Sequence, residues 1–369
     1  MRPGSSGSAQ EGKGHNSIIV PGCIGGEAYR NEATFPEISC CRVGGAHQPC
    51  CARSSGQDMG VLGTSYLRSY LHVFDRTEDI PYIHKPNLMD ARARGLAVIN
   101  TDSLGLRAKI AGATYGAKHP NEYRIAVVGD SCTFGEGVTR TEDTFAQVLE
   151  DTLNQRQQAV AVKVLNFGAS AYSVKQMAAT LQYRMVDTQP DLVMMAIIPS
   201  DFNLARTPTI DESGYLIDQK LSQFSPPGSM ARRVLRGIHL AYVLKDIGLL
   251  WFFKPQDIAQ VLSRGEIPES YHYVRQFKEV AEQSELPYVI ILLPRMQRND
   301  WGSMPGQLTR DRITHIDLSF LRDEFTQEQY MASRFDPHPS LAVHHRIGET
   351  LAEYVRHNQL KVLGQVQLH

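Results

Sequence analysis

Two short clusters, far apart in the chain, hold the residue types that nucleophilic catalysis needs. Gly129-Asp130-Ser131-Cys132-Thr133-Phe134-Gly135 follows directly on the apolar run Ile125-Ala126-Val127-Val128, and Asp336-Pro337-His338-Pro339-Ser340 lies near the C-terminus. A serine hydroxyl is a weak nucleophile until a base takes its proton, and an imidazole does this best when a carboxylate holds its ring. The first cluster offers the hydroxyl. The second places a carboxylate two residues before an imidazole, in a proline-stiffened loop ahead of a final helix. Ser131, His338 and Asp336 are therefore the candidate nucleophile, base and orienting carboxylate. Each cluster also has a plain structural reading: Gly, Asp and Ser are ordinary residues of a strand-to-helix turn, and Ser340 is an ordinary helix cap. His344 and His345, on the helix after Ser340, read as packing or surface residues.

Such groups must be held by rigid elements. The run 124–129 is short, apolar and ends in glycine, which marks a buried parallel strand. In parallel α/β sheets ligands gather where strands end, so Ser131 would stand at the sheet's top edge beside free backbone N–H groups. Thr139 with Glu142 predicts a capping box for the next helix, along which Phe145, Val148, Leu149 and Leu153 recur at helical spacing. Strands are predicted at 161–167, 191–198 and 288–293. Helices carry Val174, Met177, Ala178, Leu181 and Met185, then Val274, Phe277 and Ala281, and finally Val343, Ile347, Leu351 and Tyr354. Strands alternating with helices predict an α/β protein, a parallel sheet covered on both faces in three α/β/α layers.

With those elements in place, the motifs resemble a known family. A strand followed by Gly129-Asp130-Ser131 and Thr133-Phe134-Gly135, then Asn166-Phe167-Gly168 after the next strand, then Asp336-x-His338-Pro339-Ser340 before a last helix, is similar in order and context to the GDSL/SGNH serine hydrolases. Pro86-Asn87 and the 100–107 stretch also look like the N-terminal part of some members. The resemblance spans about residues 80–357. It implies the flavodoxin-like parallel sheet of the SGNH hydrolase fold, with attack of Ser131 on an acyl carbonyl, proton transfer by His338 and orientation by Asp336. It also implies an oxyanion hole built from the backbone N–H groups of Ser131 and Gly168, and no metal or organic cofactor. The family's third block supplies an Asn side chain just before an Asp, whereas here Ile198-Pro199-Ser200-Asp201-Phe202-Asn203 puts Ser200 in that place and Asn203 beyond the Asp. Ser200 and Asn203 are thus the two candidates for the third oxyanion donor. The commoner nucleophile elbow, G-x-S-x-G, is excluded by Thr133, and a phosphate-binding P-loop by the absence of Gly-Lys-Ser/Thr after the first strand.

The remainder of the chain divides around this body. Residues 1–58 are rich in Gly, Ser and Cys without a period of 2 or 3.6, and read as a disordered leader. Five of the six cysteines fall there, without the paired C-x-x-C spacing of a zinc site, so a metal site with His47 is the lesser reading. Residues 59–118 read as extended segments and turns wrapped on the body, and 119–369 as the hydrolase domain. An insertion at 202–267 interrupts the alternation; it is predicted to hold a basic amphipathic helix at 230–250 and then Trp251-Phe252-Phe253, packed beside the site in preference to lying on a membrane surface. Tyr172, Phe202 and the 251–253 run are candidate pocket walls, although such aromatics are more often core.

With 38 Lys+Arg against 39 Asp+Glu, the chain of 369 residues has a net charge of −1, so no global field would gather nucleic acid. No run approaches the roughly 18 apolar residues of a spanning helix, and no basic-then-apolar leader opens the chain. As written it reads as cytoplasmic, with the cell envelope or secretion as the alternative. The function expected is an esterase or O-deacylase acting on a small-molecule, glycan or lipid acyl ester through a Ser131 acyl-enzyme. The alternatives are an O-acyltransferase using the same triad, and a catalytically degraded glycan- or lipid-binding module, which Ser200 would favour.

Overall fold

In the computed structural model the apolar runs pair into one central sheet, and the amphipathic segments between them become the helices that cover it. The structure describes residues 71–360 except 76, 78, 93–96, 116, 156–159, 205–207, 211–215, 219–266, 295–300 and 334–335. The leader at 1–58, the helix predicted at 230–250 and the 251–253 aromatics lie outside the described residues.

The described chain opens with two short antiparallel pairs, β1 (His72–Val73) with β2 (Ile83–His84) and β3 (Ala91–Arg92) with β4 (Val98–Ile99). Then follow β5 (Glu122–Gly129), the single turn α1 (Ser131–Phe134), α2 (Phe145–Asn154), β6 (Ala161–Asn166), α3 (Val174–Thr180) and β7 (Leu192–Ile197). A small antiparallel pair, β8 (Pro208–Ile210) and β9 (Leu216–Asp218), precedes α4 (Ile267–Gln283), β10 (Tyr288–Leu292), α5 (Met304–Arg310) and β11 (His315–Asp317). The antiparallel pair β12 (Met331–Ser333) and β13 (Asp336–Pro339) leads into α6 (Leu341–Val355).

The central sheet runs β11-β10-β7-β5-β6, with every pairing parallel. Counting only these strands in chain order from β6, the order is 2-1-3-4-5, the flavodoxin-like arrangement, whose ligand crevice opens where the chain switches direction between its first and third strands. Here those strands are β5 and β7, and Ser131 lies just beyond β5.

Alternation along the strands explains the layers. Ala126, Val128, Val193, Met195, Ile290 and Leu292 belong to one buried cluster with residues of α3 and α4, whereas Ile125, Val127, Met194, Val289 and Ile291 belong to another with α2 and α6. Successive strand residues point to opposite faces, so a near-continuous apolar run buries both faces at once. On the helix side, Phe145, Leu149, Ile347 and Leu351 meet across the α2–α6 interface at full burial or within 1% of it, so that each sheet face gains a core of its own.

Several local expectations are corrected. The first helix after β5 is α1, and the capping box expected from Thr139 and Glu142 does not form. Instead residues Thr141–Asp143 make a 3-10 turn and Thr144 caps α2 by accepting the Gln147 N–H, because a hydroxyl one residue before the first helical position is what the free N–H groups can reach. The stretch around His338 is no loop but β13, held against β12. Strand β11 and helix α5 went unpredicted: β11 is three residues long and contains His315 and Asp317, too short and too polar for a strand signal. No helix among the described residues is long and apolar enough to cross a membrane.

Candidate active site

The turn after β5 is fixed before any chemistry is considered. Asp130 caps α1, its carboxylate accepting the Cys132 N–H at 2.9 Å, and Gly135 ends the turn in the left-handed conformation with its N–H on the Ser131 carbonyl. Ser131 is the first residue of α1, where backbone N–H groups have no partner within the helix. Gly129 is obligatory for close approach: a Cβ there would lie 2.6 Å from the Ala196 carbonyl oxygen of β7 and 2.0 Å from the Thr133 hydroxyl.

Arg107 grips this turn from below. Its buried guanidinium donates to the carbonyls of Gly135 (2.6 Å), Phe134 (3.2 Å) and Val138 (3.3 Å) and lies 5.3 Å over the Phe134 ring. Burial lowers the Arg107 pKa to about 10, against the attraction of Glu136, Glu142 and Asp143, which holds the charge in place. The Phe134 ring is also stacked on His84, centroids 3.9 Å apart, whose imidazole is held well below its ordinary pKa by burial and then by His72, Arg107 and Arg184.

His338 reaches the same place from the far end of the chain. On an extended strand residues two apart share a face, so β13 presents Asp336 and His338 side by side. Pairing with β12 (Met331 opposite Pro339, Ser333 opposite Asp336) fixes that face, and the Ser340 N–H, donating to the Tyr330 carbonyl at 2.6 Å, anchors the end of the strand. The result is a continuous hydrogen-bonded line. Ser131 Oγ lies 2.9 Å from His338 Nε2, and His338 Nδ1 lies 2.5 Å from Asp336 Oδ1, which also accepts the His338 N–H at 3.3 Å. With its Nδ1–H given to the carboxylate, the imidazole offers its Nε2 lone pair to the serine hydroxyl, the protonation pattern that a general base requires. The three residues predicted from their types and spacing are brought together, across 207 positions of sequence.

The side chains of His338, Asp336 and Glu136 are only 14%, 11% and 9% exposed. Glu136 was not anticipated from the sequence, although it follows Gly135 directly. Its Oε2 lies 3.6 Å from His338 Nε2, and its Oε1 accepts a hydrogen bond from the Ser170 hydroxyl. Ser170 is itself tied down, its carbonyl accepting the Tyr82 hydroxyl, while the Tyr172 hydroxyl donates to the Tyr82 carbonyl. Ser170, and Arg107 although it ends the 100–107 stretch, were likewise not singled out, because both act through contacts between remote segments.

The oxyanion side departs from expectation. The Gly168 N–H, expected to point into the site, donates instead to Asn166 Oδ1 at 2.9 Å, while the Asn166 amide donates to the Thr133 carbonyl at 2.8 Å. Gly168 is required for another reason: a Cβ would sit 2.3 Å from the Phe134 nitrogen and 2.6 Å from the Thr133 carbonyl carbon, so it lets the loop after β6 lie against α1. Three residues on, Ala171 adopts φ 63°, a left-handed conformation that costs a non-glycine residue on the order of 1 kcal/mol. Ser200 and Asn203 both lie buried in the turn after β7, 5% and 2% exposed, with the Asn203 N–H on the Ser200 carbonyl at 3.1 Å. Asp201 closes that turn by accepting the Ile198 N–H at 2.8 Å.

Of the aromatics proposed as walls, the two among the described residues are core. Tyr172 is 2% and Phe202 1% exposed, the latter edge-on to Trp301. His344 is fully buried, its Nδ1 accepting the Phe145 N–H at 3.1 Å, and His345 lies 3.4 Å from Asp143, so neither joins the triad. A separate pocket of about 390 Å³, lined by Tyr115, Arg124, Tyr183 and Arg184 among others, includes no triad residue. Among the described residues no group of three His, Cys, Asp or Glu side chains is arranged to hold a metal ion.

Comparison with known proteins gives distant structural likenesses alone. No family model matches the chain, and no curated protein matches it in sequence. Among solved structures it is similar to a protein assigned to the G-D-S-L lipolytic family from Desulfitobacterium hafniense DCB-2, at 13% identity and TM-score 0.38 over 62% of this chain and 98% of that one. It is also similar to a lipase/acylhydrolase from Enterococcus faecalis (12%, TM-score 0.37, 63% and 95% coverage). A third likeness is to a catalytic mutant of an acetylxylan esterase from Geobacillus stearothermophilus (13%, TM-score 0.38, 63% and 93%). At this level of likeness the reading of the site rests on its own geometry.

Proposed function

We propose that the protein is a serine esterase of the SGNH type, which cleaves acyl esters through a covalent acyl-enzyme on Ser131. The observation that carries this reading is the unbroken line Ser131 Oγ, His338 Nε2, His338 Nδ1, Asp336 Oδ1, at 2.9 and 2.5 Å. In the forward step Ser131 Oγ attacks the acyl carbon as His338 Nε2 takes its proton. The oxyanion is met by the Ser131 N–H and by a side chain from the turn after β7, Ser200 or Asn203. Collapse breaks the ester bond, and His338 returns the proton to the leaving alcohol. Water, activated by the same imidazole, then releases the acid.

A site kept only for binding has no use for a serine, an imidazole and a carboxylate in proton-transfer register, which favours the enzyme over a degraded binding module. The test is hydrolysis of p-nitrophenyl esters of graded acyl length by the wild type and by Ser131→Ala. The expected result is turnover with at least one chain length, abolished by the substitution. Turnover that survives Ser131→Ala would overturn the assignment.

A further inference from the structure

The pocket of about 390 Å³ that includes no triad residue has the size of a small-molecule site and no part in the reaction proposed above. Its walls come from the 104–117 segment, the start of β5, the residue after β6, and the end of the helical run that begins with α3. That last piece is irregular. Helix α3 stops at Thr180, Leu181–Met185 form a π-helical turn, and Val186–Thr188 tighten into a 3-10 turn. Such π turns are rare and recur at functional sites. Here the two turns bring Tyr183, Arg184, Asp187 and Thr188 to one cavity.

The two arginines of the pocket are used differently. Arg124 is 4% exposed and engaged: its Nε donates to Glu122 Oε1 at 2.6 Å and its Nη1 to the Thr188 carbonyl at 2.8 Å. Arg184 is half-buried, donates from Nη2 to the Leu104 carbonyl at 2.7 Å, and has its charge 5.6 Å from the centre of the Phe167 ring. Among the described residues no carboxylate forms an ion pair with it. A guanidinium carries five N–H donors in a fixed fork that matches a carboxylate, so Arg184 has donors to spare. Leu104, Tyr115, Phe167 and Tyr183 set apolar surface beside them.

We propose that this pocket binds a small organic anion, a carboxylate carried on a planar apolar ring. The carboxylate pairs with the N–H fork of Arg184, and the ring packs on the aromatic walls. An inorganic anion would satisfy the guanidinium and leave those walls uncovered. An uncharged ring would cover the walls and leave the donors of a half-buried cation without acceptors, at a desolvation cost. Asp187, exposed, is the one carboxylate among the described lining residues, and its like charge lowers the affinity for the anion.

The experiment is a ligand-observed NMR titration of the full chain with benzoate, benzyl alcohol and inorganic phosphate, at pH 7 and constant ionic strength. Wild type is compared with Arg184→Gln, Asp187→Asn and Tyr183→Ala, the fold of each checked by circular dichroism. The expected result is saturable binding of benzoate to wild type, with benzyl alcohol and phosphate each weaker by about tenfold or more. Arg184→Gln should weaken benzoate by about the same factor, and Asp187→Asn should tighten it about two- to fivefold. Tyr183, 46% exposed, can be truncated without disturbing the core. Its loss should weaken benzoate about two- to tenfold and leave phosphate unchanged, which carries the test if Arg184→Gln does not fold. No saturable binding of benzoate, phosphate bound as tightly as benzoate, or benzoate affinity unchanged in either folded variant, Arg184→Gln or Tyr183→Ala, would overturn the site. The measurement follows binding alone, so its failure leaves the esterase reading untouched.

Discussion

The two sides of the candidate site are built by different means. On the nucleophile side, side chains do the work: Ser131, His338, Asp336 and Glu136 meet through named hydrogen bonds and close contacts, and Arg107, Asp130 and Ser170 hold them from beneath. On the oxyanion side the turn after β7 carries two short polar side chains, Ser200 and Asn203, and one expected donor in the loop after β6, the Gly168 N–H, is engaged by Asn166. Residue type therefore identifies the first side, whereas loop conformation decides the second.

Substitutions can sharpen this contrast. The largest effect after loss of the nucleophile or base is expected for Asp336→Ala, which should lower kcat on the order of 10⁴-fold with little change in fold, since the imidazole loses the group that fixes its tautomer. A loss under tenfold would show that Glu136, or another group, orients the ring. On the oxyanion side, Ser200→Ala and Asn203→Ala should behave unequally. Whichever residue donates to the oxyanion should cost about 10²- to 10³-fold in kcat when truncated, and the other little. Equal small losses from both would mean that backbone donors alone stabilise the oxyanion.

Gly168→Ala separates the packing role from the catalytic one. Its new Cβ would collide with the backbone at Thr133 and Phe134, so a fall in stability of about 1–3 kcal/mol by urea titration is expected. Full stability with a selective loss of kcat would restore Gly168 as an oxyanion donor.

A last effect concerns a buried histidine of α6 whose charge is felt by the nucleophile side itself. His344, buried at the α2–α6 interface, is held neutral with its pKa lowered to about 3 by burial and then by Arg107, His338 and His345. Its unfolded-state value is near 6.5, so between about pH 6.5 and 3 the unfolded chain binds the extra proton and stability falls as pH falls. His344→Gln should flatten that slope in urea midpoints measured at pH 7 and pH 4.5. An unchanged slope would assign the acid sensitivity to other groups.

How much was legible in the sequence follows the same division. The strand before Ser131, the apolar stripes of α2 and α6 and the Asp336-x-His338 pair could be read because each depends on local periodicity or on residue identity. Even there the form differed: the proline-rich run at 336–339 is a strand paired to β12, and it is the strand's two-residue repeat that aligns Asp336 with His338. Glu136, Arg107 and Ser170 could not be read, since their meaning lies in contacts between segments 28 or 34 residues apart and, for Glu136, in its approach to His338 near the C-terminus. The misassignment of Gly168 has the same origin, because a glycine after a strand signals close approach or an exposed N–H equally well, and only the position of Asn166 tells them apart.

The central claim is that Ser131 is activated by His338, and intact mass after exposure to a fluorophosphonate tests it most directly. The account predicts one covalent adduct on the folded wild type, localised to Ser131 by peptide mapping and lost in both Ser131→Ala and His338→Ala. Folded wild type that remains unlabelled, or labelling that persists without His338, would contradict it.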